Sequence, residues 1–249
     1  MTDPAIPAST LVVVRDSGAG APKLLMVERA SGMAFAGGAM VFPGGRIDEA
    51  DRALASDLGL GEHGAAAVTA IRETLEETAI PVALDPLPSP DLARQLQQEL
   101  VAERPFADLL REGGLSLDPG LLEPFARWVP KFHAARRFDT VFFVAPAPPG
   151  DWCPVVIAGE CSAAEWLTAR DMLDRDSRGE GKIIFPTRRN LERLARLDSY
   201  GAILADARAF PLNPITPWLE ERDGTRYVTI PEGIGYPVTR ERIDGLWRG

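Results

Sequence analysis

Arg72, Glu73, Glu76 and Glu77 are the residues of this chain whose types and spacing point most directly to chemistry. Val68, Ile71, Leu75 and Ala79 recur at helical intervals through the same stretch, which predicts a helix over 65–78. At about 100° per residue the three glutamates then share an arc of about 100° opposite the apolar stripe. Like charges three or four residues apart cost about 0.2–0.5 kcal/mol per pair, and Arg72 offsets only part of that through Glu76. A hard divalent cation, Mg2+ or Mn2+, turns such repulsion into coordination, because both prefer carboxylate oxygens and water. An acidic helix face is more often simply solvated, so the flanking residues have to decide.

Two flanking features bear on the choice. The apolar run Met40 to Phe42 leads into Pro43-Gly44-Gly45, a strand ending in a tight turn. Closer to the helix, Gly59, Gly61 and Gly64 form a G-x-G-x-x-G, the spacing of a dinucleotide-binding turn. That turn should follow a buried strand, yet DRALASDL before Gly59 is charged and helix-like. The glycines therefore read as the flexible end of an inserted loop entering the acidic helix.

With the glycine turn and R-E-x-x-E-E, the chain resembles the Nudix family of diphosphate hydrolases. The family's box runs from a glycine through a glutamate to R-E-U-x-E-E-x-G-U, with U apolar; here Gly45 matches the glycine and Arg72-Glu73-Thr74-Leu75-Glu76-Glu77-Thr78-Ala79-Ile80 the core. LMVER, VFPGGRID, RRFDTVFFVA, EWLTARDML and PTRRNLERL, spread over most of the chain, are similar to the bacterial relatives of the mammalian peroxisomal coenzyme A diphosphatase of this family. Twenty-six residues separate Gly45 from Arg72, more than in the family, so the loop carries an insertion. Asp51 keeps the family's spacing from Gly45, whereas Gly64 occupies the loop glutamate's spacing before Arg72. Asp51 or Glu62 folds back to replace that glutamate, or the site works without one. Ala79 stands where the box has glycine, at a cost of about 1 kcal/mol if its backbone is left-handed.

The resemblance implies a metal-dependent hydrolase that directs water to a phosphorus of a nucleoside diphosphate derivative, with Mg2+ or Mn2+ as cofactor. Glu76 and Glu77 are then the principal metal ligands, Glu73 a further ligand or the base, Arg72 the residue that orients the carboxylates, and the Gly45 carbonyl completes the coordination. Glu160, Glu165 or Asp139 outside the box could supply a base or another ligand. Coenzyme A or an acyl derivative is the first substrate expected; ADP-ribose, NADH and dinucleoside polyphosphates are the alternatives, and a non-catalytic nucleotide sensor is the rival class. Arg188 and Arg189 follow an expected helix N-cap at Thr187, where free N–H groups favour an anion, and Arg136 and Arg137 precede a strand. Either pair contacts substrate phosphates or merely covers surface.

The rest of the chain sets the frame. A formal charge of −9, from 36 acidic and 27 basic residues, argues against nucleic-acid binding. No run approaches eighteen apolar residues and the N-terminus has no signal-peptide pattern, so a cytoplasmic protein without a membrane segment is expected. Two cysteines and two histidines are too few for a thiol- or imidazole-based metal site. No G-x-S-x-G occurs, and GEGK at 179–182 lacks the flanking residues of a P-loop. Strands are expected at 9–15, 23–29, 40–42, from about 125, at 138–145 and at 155–157. Helices are expected at 91–103, 106–111, 163–173, 188–197 and 199–209, and a hairpin should turn at Asp223-Gly224. Together these give one α/β domain, a Nudix-type α/β/α sandwich with a mixed sheet, a loop insertion at about 47–63 and a helical insertion at about 88–115. Homodimers are common in the family, although no stretch here marks an interface.

Overall fold

The computed structural model describes residues 4–18, 20–33, 36–130 and 137–243. Strands β1 (Ile6–Arg15), β2 (Lys23–Arg29), β3 (Met40–Val41) and β4 (Gly44–Arg46) lead into helices α1 (Glu49–Asp57) and α2 (Gly64–Thr78). A small pair, β5 (Leu84–Asp85) and β6 (Ser116–Leu117), brackets α3 (Pro90–Val101) and α4 (Phe106–Gly113). Then come β7 (Glu123–Trp128), β8 (Phe138–Pro146), β9 (Cys161–Thr168), α5 (Ala169–Ser177), α6 (Phe185–Leu194) and α7 (Tyr200–Ala209). The chain closes with β10 (Pro214–Ile215), β11 (Trp218–Arg222), β12 (Thr225–Thr229) and β13 (Arg240–Arg242).

Eight strands form one mixed sheet in the order β10-β7-β8-β1-β2-β3, with β4 beside β1 and β9 beside β2. Strand alternation divides its side chains between two cores. Leu11, Val13, Leu25, Val141 and Phe143 pack under α2, α3 and α4, while Val12, Val14, Leu24, Met26, Phe142 and Val144 pack under α5, α6 and α7. The result is the α/β/α sandwich expected from the sequence.

The site owes its position to a splay between β1 and β2. These strands pair only near their connection, at Val14↔Leu24 and Arg15↔Lys23. Nearer its start β1 pairs with β4 instead, through Ala8↔Arg46, Ser9↔Gly45 and Thr10↔Gly44. A Cβ on Gly44 would collide with the backbone of Ser9 and Thr10, so glycine is required for this close approach.

Several expectations need correction. Residues 163–168 of the expected helix 163–173 belong instead to β9, which pairs with β2 from Lys23↔Thr168 to Arg29↔Cys161; the helix begins only at Ala169, capped by Thr168. Pairing along β2 outweighs the helix-compatible residues. Residues 155–157 are not a strand but a strap, with the Val155 N–H donating to the Thr78 carbonyl at 2.9 Å. Helix α6 starts at Phe185 with Ile184 as N-cap, three residues before the expected start at Arg188 after Thr187. The hairpin turns as expected, with Asp223 and Gly224 at φ 48° and 72°.

Helix α2 ends on Ala79 at φ 56°, the left-handed conformation that glycine adopts without steric cost. Ala79→Gly is therefore expected to raise the unfolding free energy by about 1 kcal/mol, net of the entropy glycine adds to the unfolded chain. Denaturant melts check this, and a destabilised variant would contradict it.

Candidate active site

Arg72 is the centre of the charge network. Its Nε donates to Asp51 Oδ1 and its Nη2 to Asp51 Oδ2, both at 2.9 Å. The same guanidinium lies 3.0 Å from Glu73, 3.2 Å from Glu76 and 3.7 Å from Asp48. Asp51 is 2% exposed and also accepts the Thr69 hydroxyl at 2.7 Å and the Asp48 N–H at 3.2 Å. Its oxygens are thus occupied by fixed donors, and it serves as the anchor of Arg72 rather than as a free base. Glu62, by contrast, is exposed and lies outside this network. Of the two acids, it is Asp51, at the family's spacing from the glycine turn, that meets Arg72.

The G-x-G-x-x-G resolves into two separate local demands. Gly59, at φ 65°, ends α1 in a Schellman turn, with Gly59 N–H donating to Ser56 and Leu60 N–H to Ala55. Gly64 opens α2 where a Cβ would overlap the Leu60 side chain. The turn is conformationally determined, where flexibility was expected, and it packs α1 against α2 so that Asp51 reaches Arg72.

The three glutamates differ in environment. Glu77 is 8% exposed; its Oε2 accepts the Gly44 N–H at 3.1 Å, and the Cys161 thiol reaches its Oε1 at 3.5 Å. Cys161 reaches it because the β2–β9 register shifts at Glu28/Arg29, pairing Arg29 with Cys161. Glu73 lies so close to Gly45 that a Cβ there would overlap its carboxylate. Burial raises the pKa of Glu73 to about 7 and that of Glu77 to about 8, repulsion between the two adding to the rise at Glu77. Glu76 is raised by partial burial against the pull of Arg72. Burial would lower the pKa of Arg72, but Asp51, Glu73 and Glu76 raise it instead, so the guanidinium stays charged.

Glu73 and Glu76, though not the buried Glu77, line a cavity of about 930 Å³. Glu160 lines it too, as do Phe42, Trp128, Phe142 and Phe185. Arg29, Arg46 and Arg137 also line it. Arg29 makes no ion pair within 4 Å among the described residues and its Nε is buried without a partner. Arg29 was not singled out from sequence; the available signal was a charge on the strand face that carries Leu25 and Val27. Cys161 gave no such signal, since its approach depends on the bulge.

The remaining residues proposed from sequence lie elsewhere. Asp139 is held by both Arg127 nitrogens at 2.7 Å and Glu165 by Arg175 at 2.5 Å. Arg188 is bound to Asp176, and Arg189 is buried against Glu192 at 3.0 Å and Glu241 at 2.6 Å. None of these four lines the cavity. Arg136 lies outside the described residues. Of the added acids only Glu160 shares the cavity without a fixed cation, and its charge acts on Glu76.

Two outcomes follow from this network. Asp51→Ala leaves Arg72 without its bidentate partner and should cost about 3 kcal/mol of stability, whereas Glu62→Ala should change it by no more than about 0.5 kcal/mol; comparable losses for the two would contradict the assignment. Glu73 and Glu77 bind protons in the folded state that they release in the unfolded state between about pH 4.5 and about pH 8. Without divalent cations their contribution to stability therefore falls as pH rises through that window. The melting temperature of wild type should fall relative to Glu73→Gln/Glu77→Gln over the window, and parallel curves would contradict this.

Comparison with solved structures gives the site its context. No family model and no curated protein matches the chain. A Nudix hydrolase from Alicyclobacillus acidocaldarius is 33% identical, with a TM-score of 0.69, over 82% of this chain and 97% of that one. A MutT protein from Methanosarcina mazei Go1 is 13% identical at a TM-score of 0.46, covering 79% of this chain and 96% of that one. The Nudix domain of Shewanella oneidensis NrtR, solved with ADP-ribose, is 16% identical at 0.46, covering 78% and 88%. The last two are too distant to carry an argument. The first shares both the sandwich and a third of its residues over nearly its whole length, and on that ground this chain belongs to the Nudix hydrolase family of diphosphatases.

Proposed function

We propose that the chain hydrolyses the diphosphate linkage of a nucleoside diphosphate derivative at the carboxylate-lined part of the cavity, with Glu73, Glu76, Glu77 and the Gly45 carbonyl as the ligands of Mg2+ or Mn2+. The observation that carries this is the burial of Glu73 and Glu77 together at Gly44-Gly45, where Glu73 meets Arg72, and Glu77 is offset by the Gly44 N–H, the Cys161 thiol and the more distant charge of Arg29. Among the described residues no three such side chains stand in a ready-made cation geometry, since Glu73 and Glu76 lean on Arg72 and Glu77 on Gly44. The donor set fits a hard cation nonetheless, being all oxygen and in excess of its counter-charge. A bound ion supplies charge neutralisation at the diphosphate oxygens and acidifies the attacking water.

The chain's own residues do the remaining work. Arg72 stays charged and sets the directions of Glu73 and Glu76, which limits their reorientation when substrate arrives. Glu160 is the candidate to accept a proton from water, because it lines the cavity and pairs with no arginine among the described residues. Arg29 and Arg137 line the cavity and are the candidates to meet phosphate oxygens, Arg29 the stronger because among the described residues it makes no ion pair within 4 Å and its charge reaches Glu77 only at longer range. Phe42, Phe142 and Phe185 exclude water from the adjoining volume and offer apolar contact to the organic arm of the substrate.

Coenzyme A or an acyl-coenzyme A is the substrate we favour, because the cavity lining combines carboxylates and arginines with aromatic side chains. ADP-ribose, NADH and dinucleoside polyphosphates make up the alternative set, and the intact carboxylates weigh against a sensor without turnover. With Mg2+, coenzyme A should yield 3′,5′-ADP and phosphopantetheine by product analysis, while Glu77→Gln abolishes hydrolysis with its fold retained. Turnover of Glu77→Gln at the wild-type rate would overturn the ligand assignment. Hydrolysis of another member of the panel in place of coenzyme A would overturn only the substrate.

A further inference from the structure

The end of α2 is held from outside the helix by one residue of the helical insertion. The last carbonyls of a helix have no intrahelical donors. Here the Ile80 N–H, which would serve the Glu76 carbonyl in a continued helix, lies 3.3 Å from the Thr78 hydroxyl instead. Gln97 of α3 fills the gap: its Nε2 donates to the Glu76 carbonyl at 3.0 Å and to the Val155 carbonyl at 2.7 Å. Val155 in turn donates to the Thr78 carbonyl at 2.9 Å. Both partners of Gln97 are acceptors, so the amide has only one favourable orientation. Gln97 is fully buried, on the stripe formed by Ala93, Leu96 and Leu100, and its Oε1 is left without a partner. A polar residue in that environment is disfavoured unless its donor bonds are worth more than the apolar contact it replaces.

We propose that Gln97 is a positioning residue for the metal ligands, fastening the turn that carries Glu76 and Glu77 to the strap that leads, five residues beyond Val155, to Glu160. This rests on the assignment of Glu76 and Glu77 as ligands. The helix ends in a left-handed alanine rather than a glycine, and Gln97 supplies a lateral restraint that fixes the rotation of that last turn. The carboxylates of Glu76 and Glu77 move with the turn, and Glu160 moves with the strap. The insertion that contains α3 is thereby part of the catalytic framework without touching substrate.

Gln97→Leu keeps the side chain's bulk and removes both donor bonds. Binding of Mn2+ measured by calorimetry without substrate should weaken about tenfold to a hundredfold, and kcat should fall by a similar factor with KM little changed. Exchange of the Val155 amide hydrogen should accelerate relative to that of the sheet. Wild-type Mn2+ affinity, kcat and Val155 exchange in a variant that merely melts lower would overturn the proposal. Adding Ala79→Gly to Gln97→Leu should recover stability without recovering Mn2+ affinity, and recovery of both would show that stability was all that Gln97 provides. Gln97→Asn, one methylene short but still an amide, should shift Mn2+ affinity and Val155 exchange in the same direction; wild-type values there would also count against the proposal. Failure of the substrate assignment leaves the Mn2+ and exchange readings untouched, and absence of Mn2+ binding by wild type would defeat the ligand assignment while Val155 exchange still reads the fastening.

Discussion

The guanidinium of Arg72 lies among four carboxylates, those of Asp48, Asp51, Glu73 and Glu76, and its arrangement determines what the acidic helix can do. Asp51 takes two of its nitrogens in a planar, bidentate contact that suits guanidinium and excludes a free swing of the side chain. What remains of its charge is divided between Glu73 and Glu76, less than either would need for full compensation. The anchored arginine thus keeps the acidic face organised while leaving it an excess of negative charge. A neutral, well-matched salt-bridge network would have no use for a cation; this one has more carboxylates than cations facing them.

The fold supplies the other constraints by bringing backbone unusually close to that helix. The splay of β1 from β2 admits β4; only glycine fits where Gly44 meets the backbone of β1, and a side chain at Gly45 would have to displace the Glu73 carboxylate. From the opposite side, β9 carries Cys161 to Glu77 through a bulge, and Gln97 with Val155 closes the helix end. Ala79 shows that local conformational cost is tolerated there. Tertiary contacts hold a helix end that its own sequence does not terminate cheaply.

Much of this was legible in the residues, for identifiable reasons. Helix α2 announces itself through Val68, Ile71 and Leu75, and the acidic face follows from the same period. The spacing of Asp51 from Gly45 was readable, but its choice over Glu62 depended on α1 folding back, which tertiary packing of Leu60 and Gly64 decides. Residues 161–168 suit helix as well as strand, and only β2 as a partner selects strand. Arg188 and Arg189 looked like anion binders because their carboxylate partners Asp176 and Glu241 are distant along the chain. Gln97 did leave a trace, a polar residue on an apolar helical stripe, but its meaning appears only when Glu76 and Val155 are seen beside it.

In the proposed site Glu73, Glu76, Glu77 and the Gly45 carbonyl together hold a divalent cation beside the cavity. Crystals grown with Mn2+ and measured near the manganese absorption edge test it most directly. The account predicts an anomalous peak between these four groups, with Glu73 and Glu76 turned from Arg72 toward the ion and the Asp51–Arg72 contact intact. A peak located elsewhere, or none at a Mn2+ concentration that supports turnover, would contradict it.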